Sequence, residues 1–367
     1  MDIGVPREIK PQEGRVALLP DQVESLTAAG HRVLIERDAG ALSGADDGGY
    51  AAAGAEIAAT GAEVYAGCEL IVKVKEVMPE EYGGLRREHV VLTNLHTALN
   101  RELTDKLLEV GLIGLSAEET HASGSPNSPL AGEVGAFEGV RLCLAPFGGT
   151  GRHFMAHYGA PALNAVVIGL GGVGQGALRT LTRLGCAVTG LDLDPGTRFR
   201  SELTFAGSNF TAAPVEALPG LLPGADMVVN CVLWDKQRSD HLIPRALLKT
   251  MKPTAVLVDI SCDTAGAIET SRPTTWSDPV YEVDGIRHYC VDNIPGAVPA
   301  TASAGYARAL LPLVGEIATL GPIEACRRNP WLARGLTCTG GTLLLEETGR
   351  LQDRPFTPVE SFLKVAG

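Results

Sequence analysis

The chain has 367 residues, of which 45% are hydrophobic and 44 are glycine, and it carries a formal net charge of −12. The length favours two domains, the acidic balance disfavours nucleic acid as a partner, and no apolar run approaches the roughly 20 residues that span a bilayer. Because the N-terminus, MDIGVPREIK, has no apolar signal region, we expect a cytosolic protein.

Short apolar runs alternate with helix-like stretches over the first 120 or so residues, and this alternation predicts a parallel sheet with helices on both faces. A stretch rich in glycine, serine and proline, His121–Pro129, indicates a loop near a domain boundary. The predicted strands are Ile3–Val5, Arg32–Ile35, Leu70–Val74, Val90–Leu95 and Leu112–Leu115, and the predicted helices are Pro20–Ala29 and Asn100–Val110.

A second unit begins near Ala136, and a long apolar-periodic helix, roughly Ala302–Ile317, leaves it after Pro299. Further strands are predicted at Ala187–Leu191, Met227–Val232, Ala255–Ile260 and His288–Val291. The tail, Gly321–Gly367, shows no obvious strand set, so we expect it to fold back on the first unit. The predicted fold is α/β with two doubly wound parallel sheets. A Rossmann dinucleotide-binding domain (136–301) is inserted in a discontinuous, flavodoxin-like substrate domain (1–135 and 302–367).

The strongest motif lies where the apolar run Ala165–Ile168 enters the turn GLGGVG and a helix follows. In the G-x-G-x-x-G fingerprint, Gly169 permits the tight turn, Gly171 lets the backbone approach a pyrophosphate, and Gly174 lets the helix pack closely on the sheet. The helix N-terminus then offers free N–H groups to phosphates. With the intervening Gly172 and Val173, these residues form the predicted cofactor-binding turn.

Asp192 ends the next strand at about the usual spacing of ~20 residues, where a carboxylate accepts from ribose hydroxyls. A carboxylate repels a 2′-phosphate, which favours NAD. Should Asp192 turn away, Arg198 and Arg200 are cations that suit NADP instead. Val232, at the end of its predicted strand, is a further candidate for cofactor contact. The eight cysteines are scattered without a C-x-x-C pair, which favours buried thiols over disulfides or a metal site.

Several charged residues outside the motif stand in mostly apolar surroundings. The guanidinium of Arg15 needs an anion there, either a substrate carboxylate or an internal salt bridge. Lys73 and Lys75 alternate on the strand LIVKVKEV, so both are expected on the same face, toward a cleft or toward solvent. His96 and Asp263 follow the carboxyl ends of predicted strands, where open α/β sheets place ligands. A core histidine and a helix-capping aspartate are the structural alternatives.

Taken together, these segments resemble the alanine dehydrogenase/transhydrogenase family. The similar motifs are GVPREIKPQEGRVALLP, IVKVKE, LTNLH, the glycine fingerprint, SRPTTWSDPVY, DNIPGAVPATAS and ACRRNPWLARGL. The resemblance implies that Arg15 and Lys75 hold the carboxylate and carbonyl of a pyruvate-like group, and that His96 is the general acid/base. It further implies that Asp263 orients the ammonia, water or amine that attacks or leaves, and that Asn293 lies beside the nicotinamide.

Two stretches, Asn230–Ile243 and Asp259–Glu269, instead resemble opine-type members such as N5-(carboxyethyl)ornithine synthase, and GTGRHFMAHYG shares that character. Two implied substrate-pocket positions also carry smaller residues than the family pattern: Asn94 where an aromatic residue is expected, and Ala131 where methionine is expected. Smaller residues predict space for an amine or oxo acid bulkier than ammonia or pyruvate.

Three functions therefore stand as hypotheses. The first is NAD(P)-dependent oxidative deamination of L-alanine or a bulkier L-amino acid. The second is reductive condensation of an oxo acid with an amino acid such as ornithine or lysine, including saccharopine-like chemistry. The third is a non-catalytic nucleotide-binding subunit, which the presence of both Lys75 and His96 disfavours. The family commonly forms dimers or hexamers, so we expect a homo-oligomer.

Overall fold

The computed structural model describes residues 1–121, 125–235, 238–262, 264 and 266–365. The chain divides into two compact units, Met1–Pro126 with Gly296–Gly367, and Asn127–Pro295. No helix within the described residues combines the length and the apolar character needed to cross a bilayer.

The strands are short and mostly buried. In chain order they are β1 (Ile3–Val5), β2 (Val33–Glu36), β3 (Glu56–Ala58), β4 (Leu70–Val72), β5 (Val90–Thr93), β6 (Ile113–Ser116), β7 (Asn164–Ile168), β8 (Ala187–Leu191), β9 (Phe210–Ala213), β10 (Met227–Asn230), β11 (Val256–Asp259), β12 (Val280–Val283), β13 (Ile286–Tyr289), β14 (Leu336–Thr339) and β15 (Thr342–Leu343).

The helices connect successive strands, with a long one in the second half of the first unit. They are α1 (Pro20–Ala28), α2 (Asp47–Ala52), α3 (Gly61–Gly67), α4 (Arg101–Val110), α5 (Ser128–Leu142), α6 (Gly172–Leu184), α7 (Pro195–Thr204), α8 (Leu218–Leu221), α9 (Arg245–Leu248), α10 (Pro299–Leu320), α11 (Pro322–Arg328), α12 (Pro330–Gly335), α13 (Glu346–Gln352) and α14 (Val359–Val365).

The sheet of the first unit has the strand order β15-β14-β6-β5-β4-β1-β2-β3. Strands β1 to β6 are parallel, while β14 joins β6 in the antiparallel sense and β15 returns along β14. The parallel part is therefore ordered 3-2-1-4-5-6, which is the Rossmann order and not the 2-1-3-4-5 order of flavodoxin. The term flavodoxin-like is thus corrected. The tail does return to this unit, and it contributes two strands that its sequence pattern did not indicate.

The sheet of the second unit has the order β12-β13-β11-β10-β7-β8-β9. All pairs are parallel except the edge hairpin of β12 and β13. Strand order reverses between β7 and β10, which is the switch point where doubly wound sheets bind ligands. The predicted class, α/β with two doubly wound sheets and a Rossmann unit inserted in a discontinuous unit, is confirmed.

The core of each unit lies on both faces of its sheet, as expected for parallel strands covered by helices. Ile3, Val72 and Leu92 are fully buried in the first unit together with Leu310 of α10, a 22-residue helix with one apolar face. Burying a side chain of this size contributes roughly 1.5–3 kcal/mol. These contacts fix the strand ends from which the candidate site extends.

Helices α5 and α6 cross at glycines. A Cβ atom at Gly132 of α5 would collide with the carbonyl oxygen of Val173 in α6, and one at Gly176 of α6 would collide with the carbonyl oxygen of Pro129. This close backbone approach places all of α5 in the second unit. The predicted boundary between residues 135 and 136 lies inside this helix, and the boundary at 301 lies inside α10.

Candidate active site

Polar and charged residues collect at one edge of the first sheet. The segments that follow β1, β4, β5 and β6 carry the side chains, and these four strands are neighbours in the sheet. Because the carboxyl ends of parallel strands meet at the same edge, the residues after them are brought together. The edge includes the switch point between β1 and β4. The residues are Glu8, Arg15, Lys73, Lys75, Asn94, His96 and Glu118.

Arg15 lies after β1 and is 5% exposed. Its Nε and Nη2 donate to the two carboxylate oxygens of Glu13 at 2.7 and 2.5 Å, a bidentate pair. The serine pair behind the segment fixes its backbone: the Val16 N–H donates to Ser303 Oγ at 3.0 Å, and Ser43 Oγ lies 2.8 Å from Ser303 Oγ. The predicted need for an anion is thus met in part by an internal carboxylate, which also orients the guanidinium.

Lys73 is completely buried and paired. Its Nζ lies 2.6 Å from Glu81 Oε1 and 3.5 Å from Glu8 Oε2. Burial disfavours the ammonium, but Glu8 and Glu81 outweigh this effect, and the pKa of Lys73 is raised. Strand β4 ends at Val72, so the alternation expected along LIVKVKEV does not extend to the two lysines, and each has its own surroundings.

Lys75 is also buried, at 8% exposure, yet its Nζ forms no hydrogen bond or ion pair with any described residue. Burial lowers the pKa of Lys75, and the positive charges of Lys10 and Arg15 lower it further against the opposing charge of Glu76. Its backbone is held by Glu8, whose Oε1 accepts the N–H groups of Val74 and Lys75 at 2.6 and 3.2 Å.

Asn94 ties the Lys75 loop to the end of β5. Its Nδ2 donates to the carbonyl oxygen of Val74 at 2.6 Å, and the neighbouring Thr93 Oγ1 donates to the carbonyl oxygen of Lys75 at 2.6 Å. A carbonyl only accepts, so the amide orientation of Asn94 is determined. Its Oδ1 is buried and has no hydrogen-bond partner among the described residues. Asn94 therefore acts as a loop anchor as well as a smaller residue at this position.

His96 follows two residues later, with half of its side chain exposed. Its backbone is in the left-handed region, with φ +47°, which is uncommon for a residue other than glycine. Glu118 after β6 accepts the N–H groups of Leu95 and His96 at 3.1 and 2.7 Å, and His96 Nδ1 lies 3.6 Å from Glu118 Oε1. The histidine is thus held at a defined place on the sheet edge.

Sequence reasoning missed three residues of this edge: Glu8, Glu118 and Tyr306. Tyr306 of α10 is buried and donates to the carbonyl oxygen of Lys73 at 3.3 Å. Burial and the nearby charge of Glu118 raise its pKa. The sequence does contain a signal for two of them: Glu8, in the opening PREIK, and Glu118, directly after an apolar strand, are charged residues in mostly apolar surroundings. Nothing in the pattern of α10 distinguishes Tyr306 from a core tyrosine.

The glycine turn of the second unit has the predicted arrangement of strand, turn and helix: β7 ends at Ile168, Gly169 follows with φ +84°, and α6 begins at Gly172. A Cβ at Gly174 would collide with the carbonyl oxygen of Gly169. A Cβ at Gly171, in contrast, would meet no described atom within 4 Å. Packing explains the glycine at 174, while the open space at 171 suits the close approach of a phosphate group.

Asp192 lies directly after β8 and faces this turn. Its Oδ2 accepts the Leu170 N–H at 2.8 Å, and its Oδ1 accepts the Asp194 N–H at 2.9 Å. The two arginines considered for NADP are engaged elsewhere: Arg198 donates to the carbonyl oxygens of Asp192 and Leu193, and Arg200 donates to Asp194 and Thr197. The carboxylate therefore remains the prominent charge beside the turn.

A pocket of about 370 Å³ opens beside Asp192, lined also by Gly169, Val232, Trp234 and Arg238. The Arg238 guanidinium lies 4.3 Å from the centre of the Trp234 ring. The structure therefore brings the predicted cofactor residues Gly169, Asp192 and Val232 together around one cavity.

Two further predicted residues of the second unit, Asn293 and Ala131, do not line this cavity. Asn293 is buried after β13, and its carbonyl oxygen accepts from Trp276 Nε1 at 3.0 Å. Ala131, in the first turns of α5, packs against the apolar core of the unit. Asp263 lies outside the described residues.

Both halves of the chain match known family models: residues 4–128 match the alanine dehydrogenase/PNT N-terminal domain, and residues 136–346 match the alanine dehydrogenase/PNT C-terminal domain. The chain is 37% identical over 370 residues to alanine dehydrogenase from Mycobacterium tuberculosis, covering 99% of this chain and all of that protein. It is 35% identical over 373 residues to alanine dehydrogenase from Bacillus subtilis, covering 99% of this chain and 98% of that protein.

Solved structures agree. An L-alanine dehydrogenase superimposes with a TM-score of 0.89 at 33% identity, covering 96% of this chain and 99% of the other. A transhydrogenase from Sinorhizobium meliloti shares the fold, with a TM-score of 0.78 at 24% identity over 94% of this chain and 99% of the other. Given these matches along nearly its full length, the chain belongs to the alanine dehydrogenase/PNT family.

Proposed function

We propose that this chain catalyses the reversible, NAD-dependent oxidative deamination of L-alanine or a bulkier L-amino acid to its 2-oxo acid. It is an oxidoreductase of the alanine dehydrogenase type that acts on CH–NH2 groups. The observation that carries the proposal is Lys75, a buried lysine with a lowered pKa and no ion-pair partner among the described residues. Its neighbour Lys73, two positions away, is buried and fully paired.

A buried ammonium without a counter-ion among the described residues is costly unless it serves a ligand. A carbonyl oxygen that gains negative charge during the reaction is the natural partner of Lys75 Nζ. Arg15, oriented by Glu13, is assigned to the substrate carboxylate, since a guanidinium binds carboxylates through paired N–H groups. The two cations thus recognise the two ends of a 2-oxo acid.

His96 is assigned the proton transfers. Reductive amination forms a carbinolamine, loses water and leaves an iminium carbon, so one group must give and take protons near neutral pH, as histidine does. The nicotinamide of bound NAD(H) supplies or accepts the hydride. Asp263 is proposed to orient the ammonia or water that attacks or leaves.

The second unit is proposed to hold NAD. The open space at Gly171, followed by the N-terminus of α6 with Gly172, Val173 and Gly174, fits the pyrophosphate, and Asp192 fits the ribose hydroxyls. Val232, in the pocket beside Asp192, is proposed to contact the adenosine part. Asn293 is proposed to lie near the nicotinamide.

A second candidate function is the reductive condensation of an oxo acid with an amino acid that carries a side-chain amine. The observation in its favour is Asn94, which is smaller than the aromatic residue of the family pattern and whose buried Oδ1 has no hydrogen-bond partner among the described residues. The smaller side chain of Asn94 also favours a bulkier substrate, whereas Ala131 packs against the apolar core of its own unit. We further propose that the enzyme works in the cytosol as a dimer or hexamer.

The test is substitution of His96, which is half exposed and outside the apolar core. His96→Gln should lower turnover by about 10²–10⁴-fold, the usual contribution of a general acid/base, while NADH binding measured by fluorescence titration stays within about twofold. Exposed His153 provides the matched control, and His153→Gln should retain wild-type turnover. Turnover of His96→Gln equal to that of the control would remove His96 from the mechanism.

A further inference from the structure

The carboxylate of Glu118 approaches the segment Leu95–His96 at three points. Its two oxygens accept the N–H groups of Leu95 and His96 at 3.1 and 2.7 Å, and the same oxygen that accepts from His96 lies 3.6 Å from its Nδ1. The glutamate comes from the segment after β6, while the histidine comes from the segment after the neighbouring strand β5. One carboxylate therefore fixes the backbone at the proposed acid/base and lies close to its ring.

The backbone of His96 needs such support. A left-handed conformation in a residue other than glycine costs of order 1–3 kcal/mol and persists only where the surroundings determine it. The hydrogen bond from the His96 N–H to a carboxylate is charge-assisted, which makes it one of the stronger kinds. The hydrogen bond to the buried carboxylate therefore stabilises the strained backbone of His96.

Titratable groups from three elements lie around Glu118. His96 faces it from the β5 edge, Tyr306 lies near it from α10, and Glu119 follows it on its own turn, paired with Arg334 at 3.5 Å. Burial raises the pKa of Glu118 to about 7, against the hydrogen bonds that it receives.

We propose that Glu118 is the positioning residue of His96: it holds the strained backbone in place and orients the ring so that Nδ1 carries the proton and Nε2 faces the substrate. A carboxylate beside Nδ1 selects the tautomer with Nδ1–H, which leaves the lone pair on Nε2. During deamination, Nε2 takes a proton from the substrate, and the imidazolium that forms is stabilised by the carboxylate. The inference rests on the proposed function, since it assigns a partner to the proposed acid/base.

The experiment compares Glu118→Gln with Glu119→Gln. Within the described residues, the adjacent Glu119 pairs with Arg334 and accepts no hydrogen bond from His96 or Leu95. Turnover in the deamination direction is measured between pH 6 and 10, and NADH affinity is measured separately by fluorescence. Glutamine retains one acceptor oxygen but loses the charge. A unit charge 3.6 Å away at a partly buried site shifts a titration by about one pH unit or more.

The proposal predicts that in Glu118→Gln the rising limb of turnover moves to lower pH by about one unit. The control keeps the wild-type profile, and the NADH affinity of both variants is unchanged. Glu118→Ala should lose a further factor of about ten in turnover because no acceptor remains for the two N–H groups. An unshifted profile in Glu118→Gln together with wild-type turnover in Glu118→Ala would overturn the proposal.

Measuring His96→Gln in the same series separates two kinds of failure. If His96→Gln is inactive while the Glu118 variants behave as wild type, only the positioning role fails. If His96→Gln is fully active, the proposed acid/base is wrong, and the positioning role is overturned with it.

Discussion

Lys73 and Lys75 are a natural pair for testing the reasoning about the site, because both are buried and differ in their partners. Lys73 Nζ is held by Glu81 at 2.6 Å and Glu8 at 3.5 Å, whereas Lys75 Nζ has no ion pair among the described residues. Replacing each lysine with methionine keeps most of the side-chain volume and removes the charge. The two substitutions should therefore change the free energy of unfolding in opposite directions.

Lys73→Met leaves the buried carboxylates of Glu8 and Glu81 without their cation, and breaking a buried pair in this way costs about 3–5 kcal/mol. Lys75→Met breaks no ion pair and removes the cost of burying an ammonium, so it should stabilise the unliganded protein by roughly 1 kcal/mol. The two variants should thus differ by about 4 kcal/mol or more at pH 7.

The effect of Lys75 also has a predicted pH dependence. Its folded-state pKa is lowered by burial from the ordinary value of 10.5, so the destabilisation by Lys75 is fully present below the folded pKa. It disappears as the pH rises through the folded pKa toward 10.5 and above. The advantage of Lys75→Met should therefore shrink at alkaline pH, while turnover of this variant should fall by about 10²–10³-fold at every pH.

The assay is urea unfolding of the NAD-free protein followed by circular dichroism at pH 7 and pH 10, with turnover measured on the same preparations. Lys75→Arg, which keeps a charge but not the compact ammonium, is the companion variant. The reasoning is refuted if Lys75→Met loses as much unfolding free energy as Lys73→Met, because Lys75 would then be a paired structural lysine.

Further predictions concern the second unit. Gly171→Ala should fold normally and weaken NADH binding at least about tenfold, because its Cβ would occupy space left for the ligand. Gly174→Ala should instead destabilise the unit itself, because its Cβ would collide with the carbonyl oxygen of Gly169. Equal NADH affinity of Gly171→Ala and wild type would contradict the assignment. Asp192→Ala should lower the ratio of kcat/KM for NAD to that for NADP by about 10–100-fold, which corresponds to the loss of one charged hydrogen bond. An unaltered ratio would show that Asp192 only accepts hydrogen bonds from the backbone N–H groups of Leu170 and Asp194.

Local patterns predicted those parts of the chain whose structure is decided locally. The turn from Gly169 to Gly174 has strand, turn and helix where the fingerprint requires them, since glycine conformation and helix start are set within a few residues. The alternation of apolar runs likewise predicted strands β1, β5 and β10, which are buried along their whole length, and β8, in which half-buried residues alternate with buried ones. The resemblance to the family, carried by long motifs, is confirmed by matches along the whole chain.

The local sequence pattern could not predict which distant strands pair. Strand β14 pairs with β6, more than 200 residues earlier, and its sequence, LTCT, forms no apolar run that would mark a strand. The strand order of the first unit depends on crossover connections that no residue encodes alone, which is why the flavodoxin-like assignment was wrong. Among the described residues, Lys73 is paired and Lys75 is not, because the fold brings the carboxylates of Glu8 and Glu81 to the ammonium of Lys73 only.

The most direct test of the proposed function is the oxidation of NADH with pyruvate, comparing saturating ammonia with an ammonia-free panel of ornithine, lysine and other amino acids. An alanine dehydrogenase-type reaction predicts that turnover requires ammonia and is absent from every ammonia-free mixture. Turnover that requires an amino acid and proceeds without ammonia would contradict this account. It would instead establish reductive condensation as the reaction of this site.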